Sequence, residues 1–310
     1  MTLIQLEYIV AVDTYRSFVL AAEKCFVTQP TLSMQVQKLE ESLNIKIFDR
    51  SRQPVVPTEV GSMVIAQARQ ILQESLKLKE IIQSQQQELR GELKIGIIPT
   101  VAPYLLPEVI AAMMQKYPEL QLKIWEYTTE EIMHHLKTGI LDCGILATPL
   151  VDSNILEKPL YYENFVSYIS KNSPLFRKKS LAADELNEEN IWLLNEGHCM
   201  RSQVLNICRN TRNNRPAGLT YNTGSIETLI RMVDLNGGAT LLPELSLKEL
   251  TEKQLQRVRY FKNPEPVREI SLVVHKGFVK QRMLNALKEE IINVVPKSMR
   301  NAKKKDVVGI

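Results

Sequence analysis

SFVLAAEKCFVTQPTLSMQVQKLEESL, residues 17–43, decides how the N-terminal part of the chain folds. Ser17 to Lys24 spans a short helix, and Cys25-Phe26-Val27 makes a turn. Thr28 then offers a hydroxyl to the unpaired amides of the next helix, and Pro30 sits in its first turn, where a missing N–H costs little. That helix is predicted over Thr31 to about Leu43, with Leu32, Val36 and Leu39 facing inward and Ser33 and Gln35 facing out. Two helices joined by a tight turn, the second starting with short polar side chains, form the helix-turn-helix pattern. Its chemistry requires such side chains to reach base edges while the first helix crosses the backbone. The same residues also fit an ordinary three-helix core with a solvated face.

Working outward, Leu3, Leu6, Ile9 and Val10 recur at helical spacing, which predicts a helix over residues 2–15. After the quoted stretch, IKIFDRSRQPVVP (residues 45–57) reads as two short strands around a turn, a wing with Arg50 and Arg52 at its tip. Arginines there can pair with phosphates or enter a minor groove. Thr58 caps a long helix predicted to about Leu89, roughly 45 Å in length. In it Val64, Ile71 and Leu78 repeat every seven residues, as do Ala68, Ser75 and Ile82, a dimer seam of coiled-coil type. Its end, Gln83 to Gln87, is polar, and Gly91 terminates it.

From Glu92 the rhythm alternates between strand and helix. Strands are predicted at Leu93–Ile98, Leu120–Tyr127 and Leu141–Ala147, with helices at Ala102–Lys116 and Thr129–Lys137. This is the pattern of an α/β unit with a parallel sheet. Leu160–Ser170, Ile191–Leu194, Leu219–Asn222, Glu227–Leu235 and Ala239–Pro243 form a second such unit. Ile270–Val274 and the helix Gln281–Val294 return to close the first. There is no internal repeat and no low-complexity segment.

A chain of 310 residues with 44% hydrophobic content suits two or three globular domains. Its apolar runs fall far short of the ~18 residues that span a bilayer, so no membrane association is expected. Met1 to Tyr15 lacks the basic start of a secretory signal, and the expected location is cytoplasmic. The net charge of +4 resides in residues 297–310, where Lys297, Arg300, Lys303, Lys304 and Lys305 face Asp306. The first 58 residues balance six basic against six acidic groups, so overall basicity is no argument for nucleic acid. The tail reads as a solvated end.

GHCMRSQVLNIC, residues 197–208, holds two of the four cysteines. His198 and Arg201 flank Cys199 with groups that favour a reactive thiolate. Cys208 shares an apolar stripe with Val204 and Leu205 if the segment is helical. In one helix the two Cα atoms would lie about 13 Å apart, whereas a disulfide needs roughly 4.4–6.8 Å. Bond formation would therefore require unwinding. In the cytoplasm disulfides are transient or sensory rather than structural, yet spacing alone leaves open two small buried hydrophobes. Cys25 and Cys143 read as core residues. The spacing lacks the close ligand pairs of zinc motifs, and no metal is expected.

Ala21-Ala22, Thr28-Gln29-Pro30-Thr31-Leu32-Ser33, Leu39-Glu40, Phe48-Asp49-Arg50 and Pro57-Thr58-Glu59-Val60-Gly61 together resemble the LysR-type transcriptional regulators. The likeness extends over the whole chain. It implies an α/β protein overall, with a winged helix-turn-helix at 1–58, a linker and dimerisation helix at 59–90, and an effector domain at 91–310. The effector domain would be two-lobed, like periplasmic binding proteins. Lobe I would take 91–162 and 268–296, lobe II 163–267, with a basic tail at 297–310. Within the family, IPTVAPYLLP (98–107), GILDC (139–143) and EGHC (196–199) with Cys208 resemble the peroxide-sensing members.

That resemblance implies that Cys199 is the peroxidatic thiol and Cys208 the resolving one. It implies that Thr100, Thr129, His198 and Arg268 support the peroxide site. Gln29, Pro30, Thr31, Ser33, Arg50 and Arg52 are the expected DNA contacts. Taken alone, Thr100 also reads as a helix cap after the first strand. Ser202 stands where an acidic residue is common in the family, and Val267 lies in a run that is usually more basic. The implied partners are double-stranded DNA with two-fold half-sites, a second copy through the linker helix, a tetramer of such dimers, hydrogen peroxide as signal, and RNA polymerase. No cofactor and no enzymatic role are implied. A regulator that binds a small organic effector between the lobes is the alternative.

Overall fold

The computed structural model describes residues 1–84, 89–186, 191–208, 223–301 and 306–309. Two compact units divide the chain: Met1–Gln87 with Gly277–Val279, and Glu88–Lys276 with Lys280–Ile310.

The first unit contains α1 (Leu3–Tyr15), α2 (Phe18–Lys24), α3 (Gln29–Leu43), β1 (Phe48–Asp49), β2 (Val56–Pro57) and α4 (Glu59–Ser84). Short hydroxyl side chains start its first three helices. Thr2 forms a capping box with Gln5, Ser17 accepts from the Leu20 amide, and Thr28 accepts from the Thr31 amide. Because Thr28 is the cap, α3 begins at Gln29, two residues before the sequence-based start. Leu6, Ile9, Val12, Ala21, Leu32, Val36 and Leu39 are buried in one core with Ile47 and Phe48.

β1 and β2 pair antiparallel, Phe48 opposite Pro57, so the wing forms as predicted. Its base is fixed by Thr58, which accepts from the Gly61 amide at 2.9 Å and donates to the Lys46 carbonyl at 2.6 Å. Gly61 packs against backbone there: a Cβ would lie 2.0 Å from the Ile47 carbonyl oxygen. Helix α4 lies on α1, with Arg69 donating to Asp13 at 2.9 Å. Its seven-residue pattern is divided as a result. Ala68 is buried and Val64 and Ile71 pack on the core of this unit, while Leu78 is 63% exposed. The expected continuation of the helix over 85–88 lies outside the described residues.

The second unit runs β3 (Gly91–Ile97), α5 (Ala102–Lys116), β4 (Leu120–Glu126), α6 (Thr129–Thr138), β5 (Cys143–Thr148), β6 (Ile155–Ile169), β7 (Ser180–Leu181) and α7 (Cys199–Ile207). It continues α8 (Ile226–Asn236), β8 (Ala239–Pro243), α9 (Glu252–Leu255), β9 (Val258–Phe261), β10 (Pro266–His275), α10 (Gln281–Val294) and β11 (Asp306–Val307). Strands β3, β4 and β5 pair in parallel as expected. Beyond them β10 returns between β5 and β6 and pairs antiparallel with both.

β6 is a single 15-residue strand rather than the shorter Leu160–Ser170. Its first part pairs with β10 and its last part with β8 and β9, again antiparallel. One strand thus belongs to both lobes. Ile191–Leu194 is not a strand: it makes an isolated bridge from Ile191 to Ala239. The predicted strand Leu219–Asn222 and the lysines Lys303–Lys305 lie outside the described residues. Among the described residues no helix is long and apolar enough to cross a membrane.

Candidate functional site

Two strands that cross between the lobes place opposite charges face to face. In the β6–β10 register Glu163 pairs with Arg268. The Arg268 Nε donates to Glu163 Oε2 at 2.9 Å, and Nη2 lies 2.8 Å from the same oxygen. The other edge of the guanidinium turns to the loop after β3. There Nη1 donates to Thr100 Oγ1 at 2.9 Å and Nη2 to the Thr100 carbonyl at 3.0 Å. Glu163 Oε1 accepts from the Leu245 amide at 2.8 Å. All three side chains are buried. Burial alone would lower the affinity of Arg268 for its proton, but Glu163, Tyr161 and Cys199 outweigh it and hold the guanidinium above its ordinary value.

Thr100 does not cap a helix. The N-cap of α5 is Val101, which makes no side-chain cap bond. With its Oγ1 already accepting from a guanidinium, the Thr100 hydroxyl retains a proton to donate elsewhere.

Cys199 is the first residue of α7 and Cys208 its C-cap. The helical reading of this segment holds, and both residues are thiols in this structure. Cys199 is 7% exposed, at the helix end where backbone N–H groups favour negative charge. Burial pushes the Cys208 thiol up to about 12, so it stays protonated where it sits. Arg201 does not attend Cys199 as its position in sequence suggested. Its Nη1 donates to the Leu194 carbonyl at 2.9 Å and folds the 195–198 loop against the helix.

His198 is half-buried, and burial lowers its basicity, with Glu131 partly opposing, so the imidazole is neutral at pH 7. It packs over Gly224, where a Cβ would sit 2.9 Å from Nε2. Thr129 opens α6, but Thr128 and Glu131 form the capping box, which leaves the buried Thr129 Oγ1 without a partner. Thr128 faces Gly197, as a Cβ built there would lie 3.5 Å from its Cγ2. Thus the α6 end of lobe I meets the loop that carries His198 and Cys199.

Several members of this neighbourhood were not singled out from sequence. Glu163 is one, and the charged residue inside the apolar run LYYENFV was the available signal. Tyr104 on α5 donates to Glu227 Oε1 on α8 at 2.8 Å, which ties the lobes together. Burial and then that hydrogen bond push the Tyr104 phenol far up. Asn195 Oδ1 is a further buried atom without a partner. No group of three or more His, Cys, Asp or Glu side chains fit to hold a metal occurs among the described residues.

In the first unit Gln29, Pro30 and Thr31 are exposed at the start of α3, and Ser33 is half-buried. The two wing arginines differ. Arg50 folds back, donating to Ser33 Oγ and Glu40 Oε2 at 3.2 Å each and stacking 4.8 Å from the Phe18 ring. Arg52 is 71% exposed and pairs only locally, with Asp49 at 3.3 Å.

Residues 3–62 match the bacterial regulatory helix-turn-helix protein, lysR family, and residues 86–295 the LysR substrate binding domain. A hydrogen peroxide-inducible genes activator of Haemophilus influenzae is 35% identical over 95% of this chain and 99% of its own length. The DNA-binding transcriptional dual regulator OxyR of Escherichia coli K12 is 35% identical over 94% of this chain and 95% of its own. Among solved structures, full-length OxyR of Pseudomonas aeruginosa with a cysteine-to-aspartate substitution superposes with a TM-score of 0.78 at 35% identity. It covers 94% of each chain.

Proposed function

We infer that this chain, which belongs to the LysR family of bacterial helix-turn-helix regulators, is a DNA-binding transcription regulator that senses hydrogen peroxide through Cys199 and Cys208. The observation that carries this reading is the placement of Cys199. It sits buried at the N-terminus of α7, while the second thiol lies at the opposite end of the same helix.

The chemistry follows from these groups. The Cys199 thiolate attacks one peroxide oxygen, the O–O bond breaks, and hydroxide leaves to be protonated to water. Cys199 is then a sulfenic acid. Negative charge develops on the departing oxygen, and hydroxyl donors such as Thr100 and Thr129 stabilise it. The unpartnered buried Thr129 Oγ1 suits that role. Cys208 next attacks the sulfenic sulfur and displaces a second hydroxide, so two thiols become a disulfide and one peroxide becomes two waters. About 13 Å of helix separates the thiols, so α7 must unwind between these steps. That refolding is the signal.

The signal reaches DNA through α3 and the wing, with Gln29, Pro30, Thr31, Ser33 and Arg52 as contacts and Arg50 as a brace that also lies within reach of phosphate. Copies pair through α4, whose Met63, Leu76 and Leu78 are exposed. Pairing gives two heads on a two-fold operator, two such dimers form a tetramer, and RNA polymerase reads the change. The protein acts in the cytoplasm and consumes peroxide as a signal, not as an enzyme.

Mass spectrometry after brief exposure to micromolar peroxide tests this. Loss of two hydrogens mapped to a Cys199–Cys208 crosslink is expected, absent in Cys199→Ser and Cys208→Ser, with a matching change in DNA footprint. Intact thiols, or a Cys199→Ser variant that responds normally to an organic inducer, would refute it.

A further inference from the structure

Helix α7 is tied to β11 by contacts that the thiol chemistry does not use. Gln203 follows Cys199 by one helical turn and is fully buried. Its Nε2 donates to the Val308 carbonyl at 3.0 Å. One turn on, the Asn206 Nδ2 donates to the Gly309 carbonyl at 3.2 Å. β11 is in turn hung on β10. It pairs in parallel at Pro266↔Asp306 and Val267↔Val307, and the Val308 amide donates to the Val267 carbonyl at 2.8 Å. This edge of β10 is open because β5 pairs only with Glu269–Val273. Val267 adjoins Arg268. A single short strand therefore links the helix that carries Cys199 to the strand that carries Arg268. A buried amide costs free energy unless it is hydrogen-bonded, and Gln203 spends its donor on this link.

We propose that β11 with Val308 and Gly309 is a positioning element for the thiol reaction, acting on Cys199 through Gln203. It holds α7 in register with Arg268 and resists the unwinding that brings Cys208 to Cys199. This rests on the reading of those cysteines as peroxidatic and resolving thiols. The two steps pull in opposite directions. Oxidation of Cys199 to the sulfenic acid needs α7 in place, whereas condensation with Cys208, which releases water and forms the S–S bond, needs α7 released. Loosening the tie slows the first step and speeds the second.

The experiment uses the full-length chain. Val308→Pro removes the N–H that hangs β11 on β10 and keeps the carbonyl that accepts from Gln203, and Gln203→Met keeps the volume while losing the donor. The first rate is read in a Cys208→Ser background by dimedone trapping of the sulfenic acid. The second is read as disulfide formation with Cys208 present. Each variant is expected to change the rates in opposite senses by about fivefold, the factor for one neutral hydrogen bond, and their combination to add little to either alone. Ile291→Ala, in the buried face of α10, lowers stability away from the tie and should shift neither rate. Unchanged rates, changes of the same sign, full additivity, or the same split in Ile291→Ala would overturn the proposal. If Val308→Pro fails to fold, Gln203→Met decides alone. Absence of any Cys199–Cys208 disulfide in the unsubstituted chain would instead overturn the peroxide reading itself.

Discussion

Replacing Glu163 with leucine should lower the stability of the second unit by about 4 kcal/mol. Glu163 and Arg268 are paired at 2.8 Å, and each side chain is 1% exposed. Removing one partner of such a pair strands a charge in the interior, at a cost of about 3–5 kcal/mol. The Leu245 amide, which donates to Glu163 at 2.8 Å, also loses its acceptor, worth about 1–3 kcal/mol. The added leucine surface returns part of this, about 1–2 kcal/mol. For a unit of this size each kcal/mol moves the midpoint by about 2–4 °C, so thermal unfolding should fall by about 8–16 °C. Adding Arg268→Met removes the stranded charge. The double variant should then recover to within about 1–2 kcal/mol of the parent, the remainder reflecting the Leu245 amide and Thr100. Under the proposed role of Arg268 in supporting the Cys199 thiolate, it should still react slowly with peroxide. Calorimetry paired with dimedone trapping reads both quantities. A single variant that loses under about 1 kcal/mol, or a double variant less stable than the single, would refute this account of the buried pair.

Four other outcomes are expected. Gly61→Ala drives a Cβ to 2.0 Å from the Ile47 carbonyl oxygen and should destabilise the first unit by about 3 kcal/mol, which a urea titration of the DNA-binding unit would expose or disprove. Gly224→Ala places a Cβ 2.9 Å from His198 Nε2; it should slow oxidation of Cys199 with little loss of stability, and an unchanged rate would remove His198 from the site. Cys208 is held up to about 12 by burial against 9.0 for an ordinary thiol. Its contribution to stability is intact below the lower value and is lost as pH rises toward the upper, because the unfolded chain releases its proton first. Cys208→Ala should accordingly lose less urea resistance between about pH 8 and pH 10 than the parent; equal losses would contradict the buried-thiol reading. Finally, Arg52→Ala should reduce the slope of log affinity against log salt by about 1, whereas Arg50→Ala should also lower stability, since Arg50 braces Glu40 and Phe18. Identical slopes for Arg52→Ala and the parent would exclude a phosphate contact.

Much of the fold was legible because it is local. Helix starts at Thr2, Ser17 and Thr28 depend on side chains three residues from the amides they cap. The wing, the alternation after Glu92 and the helix joining Cys199 to Cys208 follow from periodicity within a few turns. The resemblance carried by the motifs at 98–107, 139–143 and 196–199, with Cys208, implied the thiol roles and their supporting residues. Direct sequence reading failed where a residue's partner is distant. Arg50 was placed at a wing tip, yet it folds onto Glu40 and Ser33 because a buried carboxylate attracts it. Arg201 stands two residues from Cys199, yet it serves the Leu194 carbonyl. The antiparallel pairing of β10 with β5 and β6 was not legible, because no local pattern tells a strand which neighbour it will meet.

The sequence by itself determined the winged helix-turn-helix, its Thr28 cap and most of the strands and helices after Glu92, since these depend on spacing and chemistry along the chain. Tertiary structure alone decided that Arg268 meets Glu163, 105 residues away, and Thr100, 168 residues away. It also decided that Gln203 is anchored to Val308. The physical reason is that buried charges and amides must find partners in three dimensions, and β6 and β10 bring those partners together only once both lobes have formed.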